Sequence, residues 1–361
     1  GDALAATLAS VAPSTLERES GPERFAWSRR RAGDTGMFFV AVQDDAPSVL
    51  TLKLRANGHP EIWNPETGEK LPATVWERAD DFARISVPLA PNGSAFIVFR
   101  PPSSEIDPVV AVAHDGRSAV SALHARHDGS LELRTRSGGD FDLKRASGRA
   151  SSVHVPAPPA PIALGGAWET EFPLRNGESL SISSRELTDW SKHSDPRIRH
   201  FSGTAEYRTS FDLPPAARSA SSRVILDLGN VTNFAEVSLN GRAFPVLWRS
   251  PWQIDVTDAL VPGRNELRIR VTNTWVNRLI GDEHLSEDTT WRPIKAHASD
   301  HPVFAAEAWP AWVIDGGTSP NGRQTFSPMK IVHRDSPLSP SGLLGPVRLV
   351  FETVQSLPRD L

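Results

Sequence analysis

Residues 223–273 read RVILDLGNVTNFAEVSLNGRAFPVLWRSPWQIDVTDALVPGRNELRIRVTN, and this stretch decides the fold class. In Glu266-Leu267-Arg268-Ile269-Arg270-Val271 every second side chain is apolar, the period of two that a half-buried strand requires. The stretch predicts strands over 224–228, 235–239 and 265–272. Asn240-Gly241 supplies a tight turn, because both residues tolerate a positive φ. Pro262-Gly263-Arg264-Asn265 supplies another.

The same grammar extends outward. An apolar run at 37–42, alternation at 49–54 and strands at 83–88 and 94–99, with turns at 57–58, 64–68 and 91–93, predict a small antiparallel β-sandwich over 25–103. Pro101-Pro102-Ser103-Ser104 reads as a linker. Residues 104–164 read as a β-rich connecting segment closed by the Pro-rich stretch 153–162. Strands and turns continue over 165–355. Only residues 1–17 look helical, with Leu4 and Leu8 on one face and Pro13 as a stop. We expect 1–24 to be the tail of an upstream α/β domain, in a chain that is a fragment or a processed product. The fold class expected is therefore all-β, with tandem β-sandwiches after a short N-terminal helix.

Bulk composition narrows the function classes. A length of 361 residues suggests two or three domains. A net charge of −4 gives no electrostatic reason to expect nucleic acid or an anionic membrane as partner. No run reaches the roughly 18 apolar residues of a membrane helix. Zero cysteines exclude disulfides, thiolate metal sites and a cysteine nucleophile.

Chemistry-bearing clusters are few. Asp282, Glu283, Glu287 and Asp288 place four acids in seven residues. Such a cluster could supply the two carboxylates of a glycosidase, but four acids without apolar framing read better as a solvated loop. His124 with His127, and His297 with His301 beside Asp300, have helical metal-ligand spacing but lie in strand or loop contexts, so surface histidines are expected. No Gly-x-Ser-x-Gly elbow or phosphate-cradling loop occurs. Oxygen ligands for a structural calcium, scattered over loops, would leave no spacing signature, and no cofactor is read.

The tryptophans carry more. Six of the 11 follow residue 240, against one tyrosine in the whole chain. Indole offers a flat apolar face to a sugar ring, while Asn, Asp or Arg hydrogen-bond its hydroxyls. Trp248-Arg249, Trp275 with Asn277 and Arg278, and Trp309 with Trp312 have that mixture. Core or interface packing is the expectation for Trp252 and Trp275, whereas Trp248 and Trp309 suit either role. The segment 309–314 reads as a strand apolar on both faces and, with Leu343 and Leu344, is expected to form an exposed apolar face.

The strings VSLNG and DVTDALVPGRNELRIRVTN resemble the sugar-binding, galactose-binding-like jelly roll named for glycoside hydrolase family 2. WSRRRAGDTGMFFVAV (27–42), EIWNPETGE (61–69), LTDWSKHSDPRIRHFSGTAEYRTSFDLP (187–214), NTWVNRLIGDE (273–283) and SGLLGPVRLVFE (341–352) together resemble the C-terminal portion of family 106 α-L-rhamnosidases. The resemblance implies a jelly roll over 165–355 and a non-catalytic region that packs on a catalytic (β/α)₈ barrel of the same polypeptide. It implies carbohydrate as ligand and a periplasmic or secreted location. The barrel's carboxylates have no matching positions here, so no catalytic residue is carried over. Trp248, Arg249, Trp275, Asn277, Arg278, Asp282, Glu283, Trp309 and Trp312 are the carbohydrate or interface candidates, with Asp282 and Glu283 on a loop at the rim of the barrel's site. The alternative is a stand-alone carbohydrate-binding module.

Overall fold

The computed structural model of the protein describes residues 14–33, 35–101, 106–175, 177–214, 222–294 and 303–358. The protein is mostly β, 51% strand against 7% helix. The chain divides into two units: Gly1–Ala160 with Arg218–Val224 and Val350–Leu361, and Pro161–Ala217 with Ile225–Leu349.

In the first unit one sheet runs in the order Leu16–Ser20, Ser48–Leu54, Phe82–Leu89, Val75–Ala79, Val109–His114, Gly139–Arg145, Ala150–Val155. Another runs Phe25–Ala32, Thr35–Val42, Ser94–Arg100, His59–Trp63, Lys70–Pro72. Alternation explains the core: Leu50, Leu52 and Leu54, Ile85 and Val87, Phe38 and Val40, and Ile97 and Phe99 are all fully buried in one cluster. Val75 pairs in parallel with Val109, so this sheet continues past residue 103 into a second cluster around Leu133, Phe141 and Val155. The expected helix over 1–17 is corrected where it can be seen. Leu16 and Glu17 lie in an edge strand, with Leu16 buried opposite Leu54, because pairing to Ser48–Leu54 outweighs local helix propensity. The remainder of that stretch, Leu4, Leu8 and Pro13 included, lies outside the described residues.

The second unit holds the stretch quoted first from Ile225 onward. Its main sheet runs Ser179–Ser184, Trp168–Pro173, Thr204–Leu213, Gly263–Thr272, Phe234–Leu239, Arg242–Ala243. Leu267, Ile269 and Val271 point inward while Glu266, Arg268 and Arg270 are exposed, as the alternation requires. Asn240 and Gly241 have φ of 52° and 80° and join Leu239 to Arg242 in a two-residue hairpin. The Asn240 amide also donates to Ala259 O and Asn265 Oδ1, both at 2.8 Å, so the two predicted turns brace each other. The strand predicted at 224–228 is Ser222–Asp227; it pairs with Gln253–Asp255, not with the two strands that follow it in the quoted stretch. Trp168, Phe172, Trp190, Phe201 and Tyr207 form an aromatic cluster, in which Trp190 Nε1 donates to Tyr207 Oη at 2.6 Å. Leu343, expected on an exposed face, is fully buried instead, and its N–H donates to the same Tyr207 oxygen at 3.0 Å.

Candidate functional site

The acidic run 282–288 and several of the candidate tryptophans belong to one part of the second unit. After Gly263–Thr272 the buried Asn273 amide donates to Phe201 O at 2.8 Å, and its Oδ1 accepts from Gly203 N at 3.0 Å. The chain so anchored turns into the short helix Val276–Asp282. Asn277 on this helix spends both N–H donors on Ser339 O (2.7 Å) and Ser341 Oγ (3.0 Å), and its Oδ1 accepts from Ser339 N at 2.8 Å. Its amide therefore holds the 339–341 segment and has no N–H left for a sugar hydroxyl.

Asp282 ends the helix, where the dipole disfavours an acid. Three donors retain it there: Oδ2 accepts from Gln324 N (2.8 Å), Thr325 N (2.7 Å) and Thr325 Oγ1 (2.7 Å). Its Oδ1 lies 2.9 Å from Arg278 Nη2, an ion pair off hydrogen-bond alignment. The expectation of a solvated loop over 282–288 is corrected at Asp282, Glu283 and Asp288, whereas 284–287 are exposed as expected. Arg323, whose side chain is 7% exposed, lies 3.2 Å from both Glu283 and Glu287 and 4.0 Å from Asp288. Lys330 bridges Glu283 (3.0 Å) and Glu287 (2.5 Å). Four carboxylates thus face the three cations Arg278, Arg323 and Lys330. Burial raises the Glu287 pKa, but hydrogen bonds from Lys330 and Trp291 and the charges of Arg323 and Lys330 more than offset it and hold the acid below its ordinary value. The general acid of a glycosidase needs the opposite shift.

The tryptophans divide by their partners. Trp312 Nε1 donates to Asp288 Oδ2 at 2.7 Å and Trp291 Nε1 to Glu287 Oε2 at 2.9 Å, which ties both to the acidic run. The segment expected as a strand over 309–314 contains the helical turn Ala311–Ile314, with Pro310 before it and Gly316 (φ 65°) after it. Trp309 is 56% exposed and Ile314 69% exposed, so an apolar face exists there, though not on a strand and without Leu343. The Trp309 ring lies 5.6 Å from that of Phe326. Trp275, expected in a core or an interface, is 59% exposed and so not in a core; it stands immediately before the helix Val276–Asp282. Trp252 is half-buried. Trp248 is exposed beside its neighbour Arg249, whose guanidinium carbon is 5.8 Å from the ring centre. Leu247 fixes that segment by two backbone hydrogen bonds to Ala235, both 2.8 Å.

His124 sits on the strand Leu123–Ala125 and His127 in the turn after it, so the pair does not share a helix face. His297, Asp300 and His301 lie outside the described residues. Among the described residues no group of three or more His, Asp or Glu is placed to hold a metal. Sequence reading missed a cavity of about 520 Å³ in the first unit, with Trp76, His59, Asp107, Arg145 and Arg149 in its wall. The His59 and Trp76 rings lie 5.6 Å apart there. Burial, aided by Arg78, lowers the His59 pKa. Its residues come from stretches up to hundreds of positions apart, and no local spacing could have signalled it.

Residues 189–306 match the family described as glycosyl hydrolase 2 galactose-binding domain-like. A curated protein of Formosa agariphila named "Putative beta-glucuronidase" is 35% identical over 231 residues, which are 64% of this chain and 19% of that protein. A solved rhamnosidase structure from Novosphingobium sp. PP1Y matches 98% of this chain with a TM-score of 0.61 and 26% identity, and the match covers 26% of that chain. This chain spans about a fifth of the curated relative and about a quarter of the rhamnosidase. Most of the quoted stretch's strands lie in the matched segment, and the chain carries a glycosyl hydrolase family 2 galactose-binding-like domain.

Proposed function

We propose that this chain is the non-catalytic C-terminal region of a family 106-type α-L-rhamnosidase, packing on the catalytic domain of the same polypeptide and shaping its substrate cleft. The observation that carries the reading is the match to the rhamnosidase structure along 98% of this chain. The ion-paired state of Asp282, Glu283, Glu287 and Asp288 supports a supporting rather than a catalytic role. Export to the periplasm or the medium follows by analogy with enzymes that meet glycans outside the cytoplasm.

The purified chain is accordingly expected to show no turnover of an aryl α-L-rhamnoside. Robust hydrolysis that disappears in Glu283→Gln or Glu287→Gln would overturn the reading. A catalytic domain seated on the second unit would cover apolar side chains, and Trp309 and Ile314 are the exposed candidates. The isolated chain should bind a hydrophobic dye, and the double change Trp309→Ser, Ile314→Ser should cut the fluorescence severalfold without altering circular dichroism. Unchanged fluorescence in the double variant removes this face from the proposal.

A second reading, a carbohydrate-binding module that acts alone, is favoured by the cavity of about 520 Å³ beside Trp76. That volume falls in the range of small-molecule sites, and the wall combines an aromatic edge with acids and guanidinium groups. Retention of the isolated chain on an immobilised neutral polysaccharide, lost in Trp76→Ala with the fold kept, would favour it.

A further inference from the structure

We propose that the galactose-binding-like unit carries a binding site for one acidic sugar residue, bearing a carboxylate or a sulfate, in the cavity walled by Arg175, Arg197 and Arg278. The inference rests on reading this unit as a carbohydrate-handling part of a glycoside hydrolase.

The cavity measures about 310 Å³ and lies wholly within the second unit. That is at the lower end of small-molecule sites, suited to a single ring and not to a chain. Three guanidinium groups and His200 line it, and among the described residues no Asp or Glu does. Each arginine is held by a single residue, a carboxylate for two of them and a backbone oxygen for the third. Arg197 is clamped by Asp195, with Nε 3.1 Å from Oδ1 and Nη2 2.7 Å from Oδ2. Arg278 leans on Asp282 at 2.9 Å. Arg175 Nη1 donates to Gln324 O at 2.8 Å. A guanidinium has five N–H donors; these contacts use two of Arg197 and one of Arg175, and the Arg278 ion pair is off hydrogen-bond alignment. The Arg278 Nε is moreover buried with no hydrogen-bond partner, the kind of unsatisfied donor that native structures rarely keep without cause.

The charges do not cancel. Asp195 and Asp282 offset two of the three cations, while Arg175 donates, among the described residues, to a neutral carbonyl. Arg199 and Glu178 stand nearby with opposite signs. His200 adds no charge at neutral pH, since burial and the charges of Arg278 and Arg199 push its pKa down to about 4. The wall therefore keeps a net positive charge borne by pre-positioned planar forks, the geometry that recognises carboxylate and sulfate oxygens in pairs. Phe201, Pro173 and Leu174 supply apolar surface for the C–H face of a sugar ring, and the Ser202 hydroxyl lies at the same wall.

The test is calorimetric titration of the full chain at pH 7 and low salt with methyl glucuronide, methyl glucose 6-sulfate, methyl glucoside and inorganic sulfate. Saturable binding of one equivalent of an acidic glycoside, weakened by salt, is expected, and the carboxylate and sulfate arms show which anion is preferred. Arg175→Ala and Arg197→Ala sit on exposed side chains and should leave circular dichroism intact while each weakens that binding about tenfold or more. Inorganic sulfate binding as tightly as either acidic glycoside would overturn the sugar assignment. Binding of the neutral glucoside at the same affinity, unmoved by both substitutions, would overturn the acidic site and leave the glycoside-hydrolase reading intact. No binding of either acidic glycoside up to millimolar concentration would also overturn the site, without bearing on whether the chain hydrolyses rhamnosides.

Discussion

Asp282→Ala is expected to destabilise the galactose-binding-like unit by about 3–5 kcal/mol, the usual consequence of removing one partner from a buried ion pair. Asp282 is completely buried and accepts three hydrogen bonds from Gln324 and Thr325. Without its carboxylate, Arg278 is left as a largely buried cation, and two backbone N–H groups and a hydroxyl lose their acceptor. Because those partners lie some forty residues further on, the loss also frees the segment that places Arg323 and Lys330 against Glu283 and Glu287. Urea unfolding at pH 7 reads the change as a lower midpoint for that unit. Leu285→Ala, at an exposed position in the same run, serves as the control and should cost well under 1 kcal/mol. If Asp282→Ala costs no more than the control, the ion-paired cluster is not what orders this region.

Acidification from pH 6.5 to 4.5 is expected to destabilise each unit by about 2–3 kcal/mol through one histidine apiece. In the first unit His124 is pushed down to about 4 by burial and by the charges of Arg134 and Arg223, against a smaller opposing effect of Glu132. In the second, His200 reaches about 4 by burial and by Arg278 and Arg199. Both folded pKa values lie below that of a free histidine, so in this window the unfolded chain binds the proton and the folded chain does not. Stability is complete above about pH 6.5 and falls as pH drops toward 4. Carboxylates held low, such as Glu132 and Glu287, contribute their own loss only below their ordinary range near 4.5, which keeps the histidine window clear. Thermal unfolding against pH should show the decline, and His124→Gln and His200→Gln should each flatten it for its own unit. A wild-type profile level between pH 7 and 4.5 would refute the assignment.

The β-strands were legible in the chain because their signal is local. Alternation at 266–271 sets inward and outward faces whatever lies elsewhere, and Asn240-Gly241 closes its hairpin from the conformational freedom of two adjacent residues. The same locality explains the errors. Leu16 and Glu17 read as helix because nothing nearby announces Ser48–Leu54, the strand they pair with. Glu283 and Asp288 read as part of a solvated loop because Arg323 and Lys330, the cations that pair with them and with Glu287, stand some forty residues away. Leu343 read as exposed because Tyr207, to which its N–H donates, precedes it by more than 130 residues. Trp275 read as core or interface from its residue type, and its exposure rules out the core. By itself the sequence determined the all-β class, the turn positions and the likeness to a family 2 jelly roll. Which charges are buried, which tryptophans face solvent and that Arg175, Arg197 and Arg278 share one wall were decided only by the tertiary structure, since burial and charge pairing join residues that periodicity cannot relate.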